Sequence, residues 1–294
     1  MTSNILGRLL RFFRKNRDQS ETLNHDEIFA MGSVAPELSA DYAESLNVLD
    51  GVVRDCINVS RKYAGIASPT GKHFYASVLF TSLISRGVSL AILAPHSLWA
   101  NKMIEHWDYA SAAVIVRTMI ELRAAFHYLC VDECSEDEWQ CRWNLLNLHD
   151  CISRNRLLKS RAGGSEQGQQ FELQAEELRN RLKSNAHFVQ LSHQKKLLNG
   201  QTAYLFPIED MAENAGIEKE TYRFLHILFS SHVHGLPMSY FRMGEQERGR
   251  GVPSPVEEGY TSICLSCAAS LLASTRDEVH NLFKGSTTSE FVQT

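Results

Sequence analysis

The stretch that decides the fold is Trp107–Leu129, WDYASAAVIVRTMIELRAAFHYL. From Ala110 to Leu122 it is apolar nearly all round, at a length that suits a helix and exceeds a strand. An all-round apolar helix belongs in a protein interior, yet Arg117 and Glu121 interrupt it. A charge taken out of water must be paired to be tolerated, and residues one turn apart on a helix reach each other. The segment therefore predicts a buried helix carrying a paired polar site. Arg before Glu is the weaker order for a surface pair, which points to partners on other helices.

Outward from this segment the chain continues in helical periods. Helices are predicted over 39–64, 72–93, 98–131, 135–159, 169–182, 208–215, 218–234 and 256–283. Ser39 stands as an N-cap before Asp41 and Glu44, and Ser135-Glu-Asp-Glu138 reads as a capping box. Residues 161–168 and 242–255 read as Gly-rich loops. The fold class is all-α, an antiparallel multi-helix bundle preceded by an N-terminal amphipathic helix. The expected organisation is a basic helix and polar linker over 1–38, one helical domain over 39–283, and a flexible tail over 284–294.

Seven cysteines form an odd set without a disulfide rhythm, and the first residues lack the apolar core of a secretory signal. Both features lead to an expectation of free thiols in a reducing cytoplasm. No stretch reads as a membrane span: the apolar runs 78–84 and 88–94 are split by Arg86 and stopped by Pro95. Residues 1–17 carry five basic residues and no acid, while the remainder holds 25 basic and 34 acidic residues, a net of −9. Ile5, Leu6, Leu9, Phe12 and Phe13 share one side of that N-terminal helix, suiting a membrane surface, a partner, or its own domain. An acidic body is a poor general binder of nucleic acid, so any RNA contact needs a local patch, with Arg223 and Arg242 as candidates.

A second polar cluster lies on 218–234. Tyr222, His226, Ser230 and His234 recur every fourth residue and form one stripe, flanked by Phe224, Leu225, Leu228 and Phe229. Gly235 and Pro237 mark the helix end, where the dipole favours charged imidazoles at His232 and His234. Simple capping explains either histidine alone; together with Arg117 and Glu121 the stripe reads as a pocket. Arg123 and His127, on another side of the first helix, read as solvated or inter-helical.

Metal signals are weak. Cys264 and Cys267 have finger-like spacing within an apolar helical stretch, where small buried cysteines explain them, as they explain Cys130 and Cys134. His149-Asp150 has the adjacency of a metal-dependent phosphohydrolase and would need His106 to converge with it. A nucleophile elbow, a P-loop and a dinucleotide Gly-rich turn are absent from the sequence. No metal and no cofactor is expected.

Arg117-Thr-Met-Ile-Glu121, the aromatic Tyr128, then Tyr222 and Phe229-Ser-Ser-His-Val-His234-Gly235 resemble a bacterial helical family known as domain of unknown function 5677. The resemblance covers about 41–239 and implies a site made of Arg117, Glu121, Tyr222, Ser230 or Ser231, and His234. That family in turn is loosely similar to HEPN helical bundles, many of them metal-independent ribonucleases of toxin and defence systems. Their Arg-then-His spacing has a counterpart in Arg142 and His149, a match expected by chance in a chain of this composition.

The sequence thus leads first to a ligand-sensing or regulatory module, with a role in defence as its suggested setting. Arg117, Glu121, Tyr222, Ser230 and His234 would face a small phosphate- or carboxylate-bearing ligand, relayed to a partner or to a homodimer. The alternatives are a metal-independent ribonuclease acting on RNA through His234 and Arg117, and a metal-dependent phosphohydrolase. In a fourth reading the polar residues only set helix register, and function rests in the basic N-terminus, at a membrane surface or in assembly.

Overall fold

The computed structural model describes residues 38–162, 166–241 and 249–284. The amphipathic helix expected at 1–17, nearly all of the linker and all but the first residue of the tail lie outside the described residues. Among the described residues the chain is all-α, with ten α-helices and no strand beyond an isolated bridge between Trp107 and Gly251. In chain order these are α1 (Ala40–Lys62), α2 (Gly71–Leu93), α3 (Tyr109–Phe126), α4 (Glu136–Ala162), α5 (Glu166–Ser184), α6 (Ala186–Val189), α7 (Gln194–Leu198), α8 (Ile208–Asn214), α9 (Lys219–Val233) and α10 (Pro255–Phe283). A π-helical turn, His127–Val131, prolongs α3, and a 3-10 turn, Pro237–Ser239, follows α9.

Where the sequence reads 39–283 as one domain, the chain divides into two compact units. One runs to Cys130 and resumes at Ala212; the other is Val131–Met211. In the first unit α10 packs on α1, α2 and α3, and α3 also packs on α2 and α9. Caps set the starts of these helices: Ser39 Oγ accepts from Tyr42 N–H, Asp108 from Ser111 N–H, and Ser254 from Glu257 N–H. Pro255 occupies the first turn of α10, where a missing N–H costs nothing. At Gly87 of α2 a Cβ would stand 2.7 Å from Leu272 of α10 and 3.2 Å from Val53 of α1, so the three helices close tightly around a residue with no side chain.

Helix α2 is long and apolar enough, by length and composition, to cross a membrane, although the sequence reading saw no span; it packs against α1, α3 and α10. The helix expected from Leu98 begins instead at Tyr109. The intervening polar groups are used at the end of α2: Lys102 Nζ donates to the Leu93 and Ala94 carbonyls, and His96 N–H donates to Glu105 at 2.8 Å. The two Lys102 contacts satisfy carbonyls that the end of α2 leaves without partners.

The second unit is built on the α4–α5 pair, with Cys141, Leu145, Leu148, Leu178, Leu182 and Phe188 in its core. Ser135 caps α4 by accepting from Glu138 N–H at 3.2 Å. The expected reciprocal half of that capping box is not used, because the Glu138 carboxylate is taken by Arg142. Helices α6 and α7 are too short for a periodic pattern to announce them.

Candidate functional site

Helices α3 and α9 bring the two sequence clusters together. Arg117 Nε donates to Ser230 Oγ at 3.1 Å, across a separation of 113 residues. Its Nη1 lies 2.8 Å from Glu121 Oε1. The two charges are not equally buried, which corrects the expectation of a desolvated pair. The Arg117 side chain is 11% exposed and that of Glu121 44%. The reason lies in the helix: α3 is not enclosed all round, and Arg117 occupies the edge facing α9, whereas Glu121 is turned further toward solvent.

On α9, buried Tyr222 brings its hydroxyl within 3.3 Å of His226 Nδ1. Burial first, and then the positive charge of Arg117, hold the His226 imidazole below its usual range. Glu121 acts in the opposite direction, and His234 adds to the lowering. Arg117, Glu121, Tyr222, His226, Ser230 and His234 therefore share one electrostatic neighbourhood. His234 is exposed and caps α9, its N–H donating to Ser230 O at 3.0 Å. Gly235 follows with φ +57°, and Leu236 N–H closes back on Ser231 O at 2.9 Å, a Schellman-type end that holds His234 where the chain turns away. His232 instead sets its ring edge-on to Tyr109, 5.1 Å between centroids, and belongs to the packing of α9 on α3.

The remaining candidates fall into structural roles. Arg123 is inter-helical: it donates to the Ala215 carbonyl at 3.0 Å and to Glu278 of α10 at 2.7 Å. Arg142 is 2% exposed and bridges Asp132, at 2.9 Å, and Glu138. His149 places Nδ1 3.1 Å from the Gly200 carbonyl. The Arg142-to-His149 spacing is thus accounted for by packing in the second unit. Asp150 pairs with Arg154 at 2.7 Å. Among the described residues no group of three or more His, Cys, Asp or Glu could hold a metal ion. Cys264 and Cys267 are wholly buried thiols of α10, and burial pushes Cys267 up to about 12.

One residue escaped the sequence reading except as an interruption: Arg86 of α2. Its Nε donates to Thr118 Oγ1 at 2.9 Å, and its Nη1 to Ser82 Oγ at 2.7 Å and Ser82 O at 3.1 Å. The available signal was that α2 contains an arginine and not one acidic residue.

With that geometry in view, residues 73–250 match the family model described as "Family of unknown function (DUF5677)". This chain belongs to the DUF5677 family. No curated protein and no solved structure matches it. The DUF5677 match takes in Arg86, Arg117, Glu121 and the whole Tyr222–His234 stripe, together with the second unit; α1 and α10 lie outside it.

Proposed function

We propose that this DUF5677 chain is a regulatory binding module whose α3–α9 site takes the phosphate or carboxylate group of a small molecule. The observation that carries the reading is the state of Arg117. Its guanidinium is nearly buried, is oriented by a neutral hydroxyl, and has as its acidic partner a carboxylate already half in water. Glu121 then acts as an exchangeable occupant. An incoming anion replaces it on Arg117, and Glu121 swings into solvent at little cost. Planar, charge-assisted contacts favour such an anion. Because α3 also packs on α2 and α10, a shift of Arg117 is passed to the rest of its unit.

The test is titration with inorganic phosphate and with acetate, following the His226 imidazole by NMR. Binding raises the His226 pKa, because a new negative charge favours the protonated ring. Arg117→Gln abolishes the effect, and Glu121→Gln tightens binding by removing the competitor. An unmoved His226 signal at saturating anion refutes the reading. Cleavage of total RNA in chelator by the wild type, lost in His234→Ala, would replace it with catalysis.

A further inference from the structure

Arg86 has the marks of a second anion position. It is half-buried, yet hydroxyls and a carbonyl are its partners, and among the described residues no carboxylate pairs with it. A guanidinium held in place by neutral groups keeps its full charge for something else. Its position relative to the first site is fixed by α3. Thr118, which accepts from Arg86, is the residue after Arg117, which donates to Ser230 of α9. Successive residues on a helix point about 100° apart, so Arg117 reaches from α3 across to α9 while Arg86 of α2 meets the neighbouring position. On the α3 surface between Arg117 and Thr118 stand half-buried Val114 and, beside it, Glu121, whose release from Arg117 clears that arc. This is a face with a cation at each edge and Val114 between, on a chain whose net charge is −4.

We infer that Arg86, Ser82 and Thr118 hold a second acidic group, so that the face takes an elongated molecule with an acid at each end and an apolar spacer between. The inference rests on the reading of Arg117 given above and names the ligand class for that site. Arg117 receives one end in exchange for Glu121; Arg86 receives the other without displacing any carboxylate. The spacer crosses α3 over Val114, in the space that Glu121 vacates.

The experiment uses the full chain and straight-chain dicarboxylates of increasing length, each compared with the monocarboxylate of equal length, by calorimetry. Once the second acid can reach Arg86, tethering makes its contact intramolecular and the diacid binds at least about tenfold tighter than its monoacid. Arg86→Gln abolishes the advantage of the diacid over its monoacid. Arg117→Gln weakens both. Thr118→Val, which unseats Arg86 without removing charge, reproduces the Arg86→Gln result should that variant fold poorly by thermal melt. Equal affinities for diacid and monoacid at every length in the wild type overturn the two-ended ligand while sparing the Arg117 site. So does an Arg86→Gln variant that keeps the diacid advantage. Absence of binding by either series overturns both.

Discussion

The unequal burial of Arg117 and Glu121 sets a measurable coupling between them. Removing one partner of a fully desolvated ion pair costs about 3–5 kcal/mol, because the other charge is stranded. Here the stranded group would be Glu121, whose side chain is 44% exposed and can be rehydrated where it stands. Glu121→Gln leaves Arg117 without its carboxylate instead, but the amide oxygen can still face the guanidinium and Ser230 still holds it, so the cost should be about 1 kcal/mol. Arg117→Gln costs more, about 1.5–2 kcal/mol, since the charge-assisted bond to Ser230 is lost along with the packing of a nearly buried stem. The double variant closes a cycle whose coupling term should fall below about 1 kcal/mol. Urea unfolding of the four proteins, followed by far-ultraviolet circular dichroism, gives all three quantities. A coupling above about 2 kcal/mol, or a loss of 3 kcal/mol from Glu121→Gln alone, would show a desolvated pair and remove the basis for treating Glu121 as displaceable.

Arg142 provides the opposite case: at 2% exposure between Asp132 and Glu138, its replacement by Ala should cost about 3–5 kcal/mol in the unfolding of the second unit, and a loss under 1 kcal/mol would contradict that placement. His226 has its pKa lowered from 6.5, so the folded state binds fewer protons than the unfolded one. Its contribution is fully present above pH 6.5 and is lost as pH falls through the folded value, so stability should drop on acidification and drop less in His226→Gln, as thermal melts across that window would show. Gly200 sits at φ +62° with Ile152 where a Cβ would go, so Gly200→Ala should destabilise by about 2 kcal/mol in denaturant melts, by backbone strain and overpacking together. Cys134 alone among the seven thiols is not buried, so a thiol reagent at pH 8 should label it first and the rest only on unfolding; rapid labelling of Cys264 or Cys267 would contradict the core of α10.

Much of this architecture was legible because its long helices bury one continuous pattern. Helices α1, α2, α9 and α10 announce themselves by period and by caps such as Ser39, and the meeting of Arg117 with Ser230 follows from two polar stripes that each needed a partner. What escaped has physical reasons. Residues 98–108 look helical because the pattern does not show that Lys102 and Glu105 are committed to the end of α2. The exposure of Glu121 depends on how far α9 and α2 wrap around α3, which is tertiary information. Arg86 was passed over because a lone cation in an apolar helix reads as a break in a pattern; only the hydroxyls around it reveal that it is held in position.

The division of the chain also orders events during synthesis. Residues 131–211 hold a complete core of their own, so that unit can close as soon as it has left the ribosome. The other unit must wait, because α1 and α3 rest on α10, and Ser45 and Arg123 bond Ser266 and Glu278, which are made late. Until α10 arrives, the apolar sides of α2 and α3 have no complete cover. Premature termination after the second unit but before the last helix therefore yields a chain with a sound middle and adhesive ends, a natural substrate for chaperones and proteases.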